Sequence, residues 1–101
     1  MDVEFDDDRL RRLCEEPGYR LPSLAPEIAR AFRNKVQVVR AAFDERDLHA
    51  LKSLHFEKLR GKRAGQHSLR LNERWRLIVR MTESEPGHDV VHIVEVTDYH
   101  Q

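Results

Sequence analysis

The stretch from Glu57 to His100 carries the residue types needed to cleave RNA without a metal ion: Glu57, Arg60, Lys62, Arg63, Arg70, Arg76 and a terminal Asp98-Tyr99-His100. Such cleavage removes a proton from a 2'-hydroxyl, stabilises a pentacoordinate phosphorus and protonates the departing 5'-oxygen. Glu57 is the candidate base and His100 the candidate acid, because a carboxylate can be tuned upward by burial and an imidazole titrates near neutrality. Arg70 and Arg76 are the candidate phosphate clamp. Arg60, Lys62 and Arg63 extend a positive groove, Arg80 and Asp98 join the RNA- and phosphate-binding set, and Tyr99 can stack on a base.

Each residue taken alone also has a structural reading. An exposed glutamate beside Lys58 is ordinary solvated surface, and a histidine next to the chain end is ordinarily a mobile terminus. Arg70 and Arg76 fit the uncovered face of an antiparallel sheet. Trp75 reads as core. His67 and His92 could meet as a metal pair if they shared the apolar face, but without a carboxylate or cysteine at ligand spacing they read as core histidines. His49, His55 and His88 have no partner in the pattern. No metal and no cofactor is expected.

The elements that must position these groups are bounded by length and charge. The 101 residues make one domain, residues 1–101, with a modest core. Acidic and basic residues balance at 18 each, so net charge predicts no polyanion partner, but the distribution is polarised. Residues 58–80 hold eight basic residues (Lys58, Arg60, Lys62, Arg63, Arg70, Arg74, Arg76, Arg80) against Glu73 alone, whereas the first sixteen residues hold seven acids against three arginines. That pattern suits a phosphate-binding face. Cys14 is the only cysteine, which excludes an internal disulfide and a cysteine metal cage. The N-terminal residues lack the apolar run of a signal peptide, and no segment approaches a membrane span; the expectation is a cytoplasmic protein.

Val3 to Phe5 reads as a short edge strand, and Asp6 to Asp8 suit the start of a short helix that carries Leu10, Leu13 and Cys14 and ends at Pro17-Gly18. A long helix is expected over residues 24–45, with Ser23 as N-cap and Ile28, Phe32, Lys35/Val36, Val39 and Phe43 at helical spacing. Leu48, Leu51 and Leu54 predict a further helical connector. Beyond it the period becomes two. Gln66–Leu71 and Arg74–Met81 alternate, Ser84–Gly87 is a turn, and Asp89–Thr97 is a β-branched strand expected in the sheet interior. The fold class is α+β, with N-terminal helices on one face of a small, mainly antiparallel sheet.

Register follows from the pattern, because a one-residue slip exchanges the faces of a strand. A two-residue loop at Asn72-Glu73 would set Leu69 opposite Arg76. A three-residue loop, Asn72 to Arg74, pairs Leu71 with Trp75, Leu69 with Leu77 and Arg70 with Arg76. The second register gives one apolar face and gathers Gln66, Ser68, Arg70, Arg76 and Arg80 on the other. Two directly opposed arginines repel unless an anion lies between them, so the preferred register implies a phosphate site.

The run from Phe56 to Leu77, with its Leu-basic-Gly segment (Leu59-Arg60-Gly61), its Gln66-His67-Ser68-Leu69-Arg70 strand and its Trp75-Arg76-Leu77 strand, closed by Val96-Thr97-Asp98-Tyr99-His100, resembles the HigB or plasmid-maintenance killer branch of the RelE/ParE toxin superfamily. These motifs span about the C-terminal half; the N-terminal half agrees in helix layout and length. The resemblance implies a RelE-like fold and a ribosome-dependent mRNA endoribonuclease neutralised by a helix-turn-helix, HigA-like antitoxin, with operator DNA reached only through that antitoxin and no membrane partner. It also implies proton transfer at Glu57, a phosphate-stabilising arginine at Arg76, a catalytic histidine at His100 and a cationic role for Arg60. The chain departs from relatives by carrying Glu57 where some have histidine and by ending in Gln101 where some have an aromatic. A ParE-like toxin acting on DNA gyrase, or a decayed toxin serving only as antitoxin partner and co-repressor, is compatible with the same fold.

Overall fold

Period-two patterning builds the sheet on which the helices pack, as the computed structural model shows over the described residues, 1–98. Five strands, β1 (Asp2–Phe5), β2 (Glu57–Lys58), β3 (Gln66–Arg70), β4 (Arg76–Glu85) and β5 (His88–Thr97), lie in the order β1-β5-β4-β3-β2. β1 runs parallel to β5, and the other pairings are antiparallel. With three α-helices, α1 (Asp8–Glu15), α2 (Pro26–Ala41) and α3 (Glu45–Ala50), the chain is α+β.

The hairpin register is the one with the three-residue loop: Leu69 lies opposite Leu77, and Arg70 opposite Arg76. Leu69, Leu77, Val79, Val91 and Ile93 therefore share one face. They form the core with Leu10 and Leu13 of α1 and Phe32, Val36 and Val39 of α2. α1 starts where Asp7 accepts the N–H of Arg9 at 2.9 Å, satisfying one of the free donors of the first turn.

The structure corrects the second helix at both ends. Its N-cap is Ala25, with no side-chain bond, and Pro26 occupies the first turn, so Ser23 does not cap it. It ends at Ala41, because Ala42 is extended and Asp44 already caps α3 by accepting from Arg46. A cap needs non-helical backbone, so α2 cannot run through it. Phe43, expected on the apolar stripe, falls in this break and is 84% exposed. A second break at Leu51, between α3 and a 3₁₀ turn over Lys52–Leu54, leaves Leu48 and Leu54 buried and turns Leu51 outward.

β3 and β4 stop one and two residues short of their expected limits at their shared loop, at Arg70 and Arg76, whereas β4 and β5 extend beyond theirs at the next turn. β4 continues to Glu85 and β5 begins at His88, so the turn narrows to Pro86-Gly87, where Gly87 adopts the left-handed φ of +81°. Trp75 is half-buried and lies outside the core cluster, contrary to expectation. It closes the β3–β4 loop beyond the end of β3, its carbonyl accepting from Leu71 N–H at 2.9 Å.

A β-bulge interrupts the β4–β5 ladder: Ile78 pairs with Glu95, but Val79 pairs with Ile93, leaving Val94 as the extra residue. The insertion switches the phase of β5. Val91 and Ile93 face the core before it and Val96 after it, so Glu95 and Thr97 emerge on the opposite, outer face.

Candidate functional site

The outer face of the sheet is organised in cross-strand rows. Arg70, Arg76 and Thr97 make one row, and Glu57, Ser68, Ile78 and Glu95 make the next. Gln66, Arg80, His92 and Glu4 make a third. Glu57 reaches this face through β2, a two-residue strand too short to show in the sequence pattern. It is exposed and paired with Ser68, one row from the two arginines.

Arg70 and Arg76 differ from their cationic neighbours. Arg70 Nε donates to the Asn72 carbonyl at 3.3 Å, and Arg76 Nη1 donates to the same oxygen at 2.7 Å and to the Trp75 carbonyl at 3.1 Å. Neither has a carboxylate partner among the described residues. Arg80 is paired with Asp6 at 3.1 Å, Arg74 with Asp98 at 2.6 Å, and Arg63 with Glu95. Three positive charges of the expected basic stretch are thus neutralised locally, while the clamp is not.

Arg60 and Lys62 are exposed on the connection between β2 and β3. That connection folds over the outer face. A 3₁₀ turn (Gly61–Arg63) brings Arg63 to Gln66 at 3.0 Å and onward to Glu95 of β5. Leu59 and Ile78, both buried, give this face a small apolar anchor of its own outside the main core. The acidic N-terminus lies at the far edge: Asp2 and Glu4 sit on β1, with Asp6 directly after it. The charge polarity of the sequence therefore becomes two edges of one surface, basic toward β2–β3 and acidic toward β1.

His55 is the residue the pattern missed. It has left-handed backbone (φ +47°), and its Nε2 lies 3.5 Å from Arg70 Nη1. An arginine only donates, so in this contact the imidazole nitrogen is the acceptor. Nothing in the local sequence announces it, since the two residues meet only through the β2–β3 pairing.

His67 and His92 do not form a pair. His67 lies opposite Val79 on the core side and stacks on Phe56 with ring centroids 4.5 Å apart. His92 is on the outer face, within 2.8 Å of Thr82 Oγ1. Sheet alternation separates them. Burial lowers the His67 pKa. Among the described residues no three His, Cys, Asp or Glu side chains cluster as a metal site, and no helix is long and apolar enough to cross a membrane. Tyr99 and His100 lie outside the described residues.

A cavity of about 450 Å³ opens elsewhere, between α1, the following loop and α2, lined by Leu13, Tyr19, Leu24, Ala29 and Arg33 among others. It holds no carboxylate or imidazole for proton transfer, so the outer sheet face is the stronger candidate.

The comparisons with known proteins agree in fold and family. The YoeB/ParE toxin from Agrobacterium tumefaciens is 14% identical over 99% of this chain and 100% of its own, with a TM-score of 0.57. The YoeB-YefM complex from Staphylococcus aureus contains a chain 14% identical, covering 100% of this chain and 98% of that one, with a TM-score of 0.54. At that identity the likeness establishes the fold. Among curated proteins nothing matches. The family described as the RelE-like toxin of the type II toxin-antitoxin system HigB matches residues 3–100. Nearly the whole chain is covered, and it belongs to the HigB-like family of RelE-like toxins.

Proposed function

We propose that this toxin is a metal-independent endoribonuclease that cuts mRNA on the ribosome by 2'-hydroxyl attack, leaving a 2',3'-cyclic phosphate or its 3'-phosphate product. The observation that carries the reading is the opposed pair Arg70 and Arg76, placed without a carboxylate between them on the outer sheet face. Like charges directly across a sheet are destabilising, and an anionic phosphate between them would reverse that cost.

Around such a phosphate the other roles follow by position. Glu57 shares the face and takes the 2'-hydroxyl proton. Arg60 and Lys62 extend the cationic edge along the RNA backbone, with Arg63, Arg80 and Asp98 as its ion-paired frame. Thr97 is the cross-strand partner of Arg76, and His100, three residues further along the chain, protonates the leaving 5'-oxygen. Tyr99 stacks on a base beside it.

The partner that restrains the activity is a helix-turn-helix, HigA-like antitoxin, a reading supported by the chain's membership of a type II toxin-antitoxin family. It also carries the toxin to operator DNA, and the setting is the cytoplasm. Inducing the toxin without antitoxin and mapping mRNA 5' ends should show new cuts in translated transcripts. Arg76→Ala and His100→Gln proteins, folded by circular dichroism, should neither cut nor arrest growth; continued cutting by both would reject the assignment. Growth arrest with intact transcripts and impaired DNA supercoiling would instead support a gyrase-directed toxin, and normal growth a decayed one.

A further inference from the structure

We infer that Asn72 is a positioning residue that sets both clamp arginines, an inference that rests on the nuclease reading. Its backbone carbonyl is the one acceptor shared by Arg70 Nε (3.3 Å) and Arg76 Nη1 (2.7 Å). Its side chain fixes where that carbonyl points, because Oδ1 accepts the N–H groups of Arg74 at 2.8 Å and Trp75 at 2.7 Å. The Asn72 N–H in turn donates to the Trp75 carbonyl at 3.4 Å. One exposed residue thus joins the loop backbone to both guanidinium groups.

The need for such a device is electrostatic. Two guanidinium groups on adjacent strands separate by rotating about their long stems unless something holds them. A carboxylate between them would hold them, but it would also occupy the phosphate position and cancel the charge the reaction uses. A neutral carbonyl oxygen orients both donors and leaves their charge available. The asparagine side chain is what makes this carbonyl rigid, by the local amide-to-backbone bonding that stabilises tight turns.

Alanine at position 72 leaves the Arg74 and Trp75 N–H groups to water. Both lie on an exposed loop, so the fold survives while the carbonyl loses its fixed direction. Misplacement of reacting groups by about 1 Å costs on the order of 10²-fold in rate. The expected result is that Asn72→Ala, with unchanged circular dichroism, lowers the single-turnover cleavage rate at saturating programmed ribosomes by about 10²-fold, with little change in half-saturating concentration. Asn72→Ser retains a neutral side-chain acceptor for the loop N–H groups and recovers part of that loss. Because Asn72 acts in part through Arg76, the loss in the double variant Asn72→Ala/Arg76→Ala is smaller than the two single losses combined.

The Nε–H resonances of Arg70 and Arg76, followed by NMR during titration with inorganic phosphate, give a readout that needs no cleavage. In the wild type they are dispersed and shift with phosphate; in Asn72→Ala they collapse toward the free-arginine position. Dispersed and unchanged signals in Asn72→Ala, or losses that simply add in the double variant, would overturn the positioning role. A wild type that cuts no mRNA rejects the nuclease reading, and the NMR result still decides the role of Asn72.

Discussion

Arg70 and Arg76 face each other across the β3–β4 hairpin and donate to one oxygen, the carbonyl of Asn72. The ion-paired arginines nearby, Arg63, Arg74 and Arg80, are each anchored by an acid. The two groups divide the basic stretch into an ion-paired frame and a pair of arginines without carboxylate partners.

Arg76→Lys keeps the charge but not the planar fork that donates to the Asn72 and Trp75 carbonyls and that the nuclease reading assigns to the phosphate. Cleavage on programmed ribosomes should fall by about 10²- to 10³-fold, the scale for losing one preorganised transition-state donor. A loss smaller than tenfold would show that charge alone is sufficient.

Leu59→Ala removes a side chain that is buried outside the main core cluster, on the connection between β2 and β3. The expected destabilisation is about 2–5 kcal/mol, measured by urea unfolding. Amide exchange should also accelerate over residues 57–64, which that side chain holds down. Exchange that rises uniformly over the sheet would locate Leu59 in the main core instead.

His67 gives stability a pH dependence with a fixed sign. Burial holds its pKa below the ordinary imidazole value, so the folded ring stays neutral where the unfolded chain takes a proton. Its contribution is complete above the unfolded value of about 6.5 and declines as the pH falls toward the lowered folded value. His67→Phe keeps the stack on Phe56 and removes the titration. Denaturation midpoints measured from pH 7.5 to 5.5 should fall less steeply for this variant, and parallel curves would refute the claim.

The Cys14 thiol is pushed up to about 11 by burial. Since the thiolate is the reactive form, alkylation by iodoacetamide at pH 8 should be on the order of 10²-fold slower than for a free thiol, and should reach the free rate in denaturant. Rapid labelling of the native protein would place the thiol in solvent.

Local patterning was enough to determine the α+β class, the hairpin register and the opposition of Arg70 and Arg76. The class follows from the change of apolar period from helical to two, and the register and the opposed arginines from the alternation, in which a single slip would bury charge. The position of Glu57 on the arginine face was not legible, because β2 has only two residues and owes its existence to pairing with β3. The outward Phe43 and the boundary at Ala41 were hidden as well: apolar spacing continued past residue 41, but the Asp44 cap outcompeted it.

Tertiary structure alone decided which cations keep their charge available. Sequence supplied eight basic residues between Lys58 and Arg80, all of the same charge. Long-range contacts then assigned Arg80 to Asp6, Arg74 to Asp98 and Arg63 to Glu95. The last of these depends on a bulge at Val94 that turns Glu95 onto the outer face. Ion pairing acts through space between residues far apart in the chain, and a bulge changes the face of every residue after it, so neither can be read from spacing along a single strand.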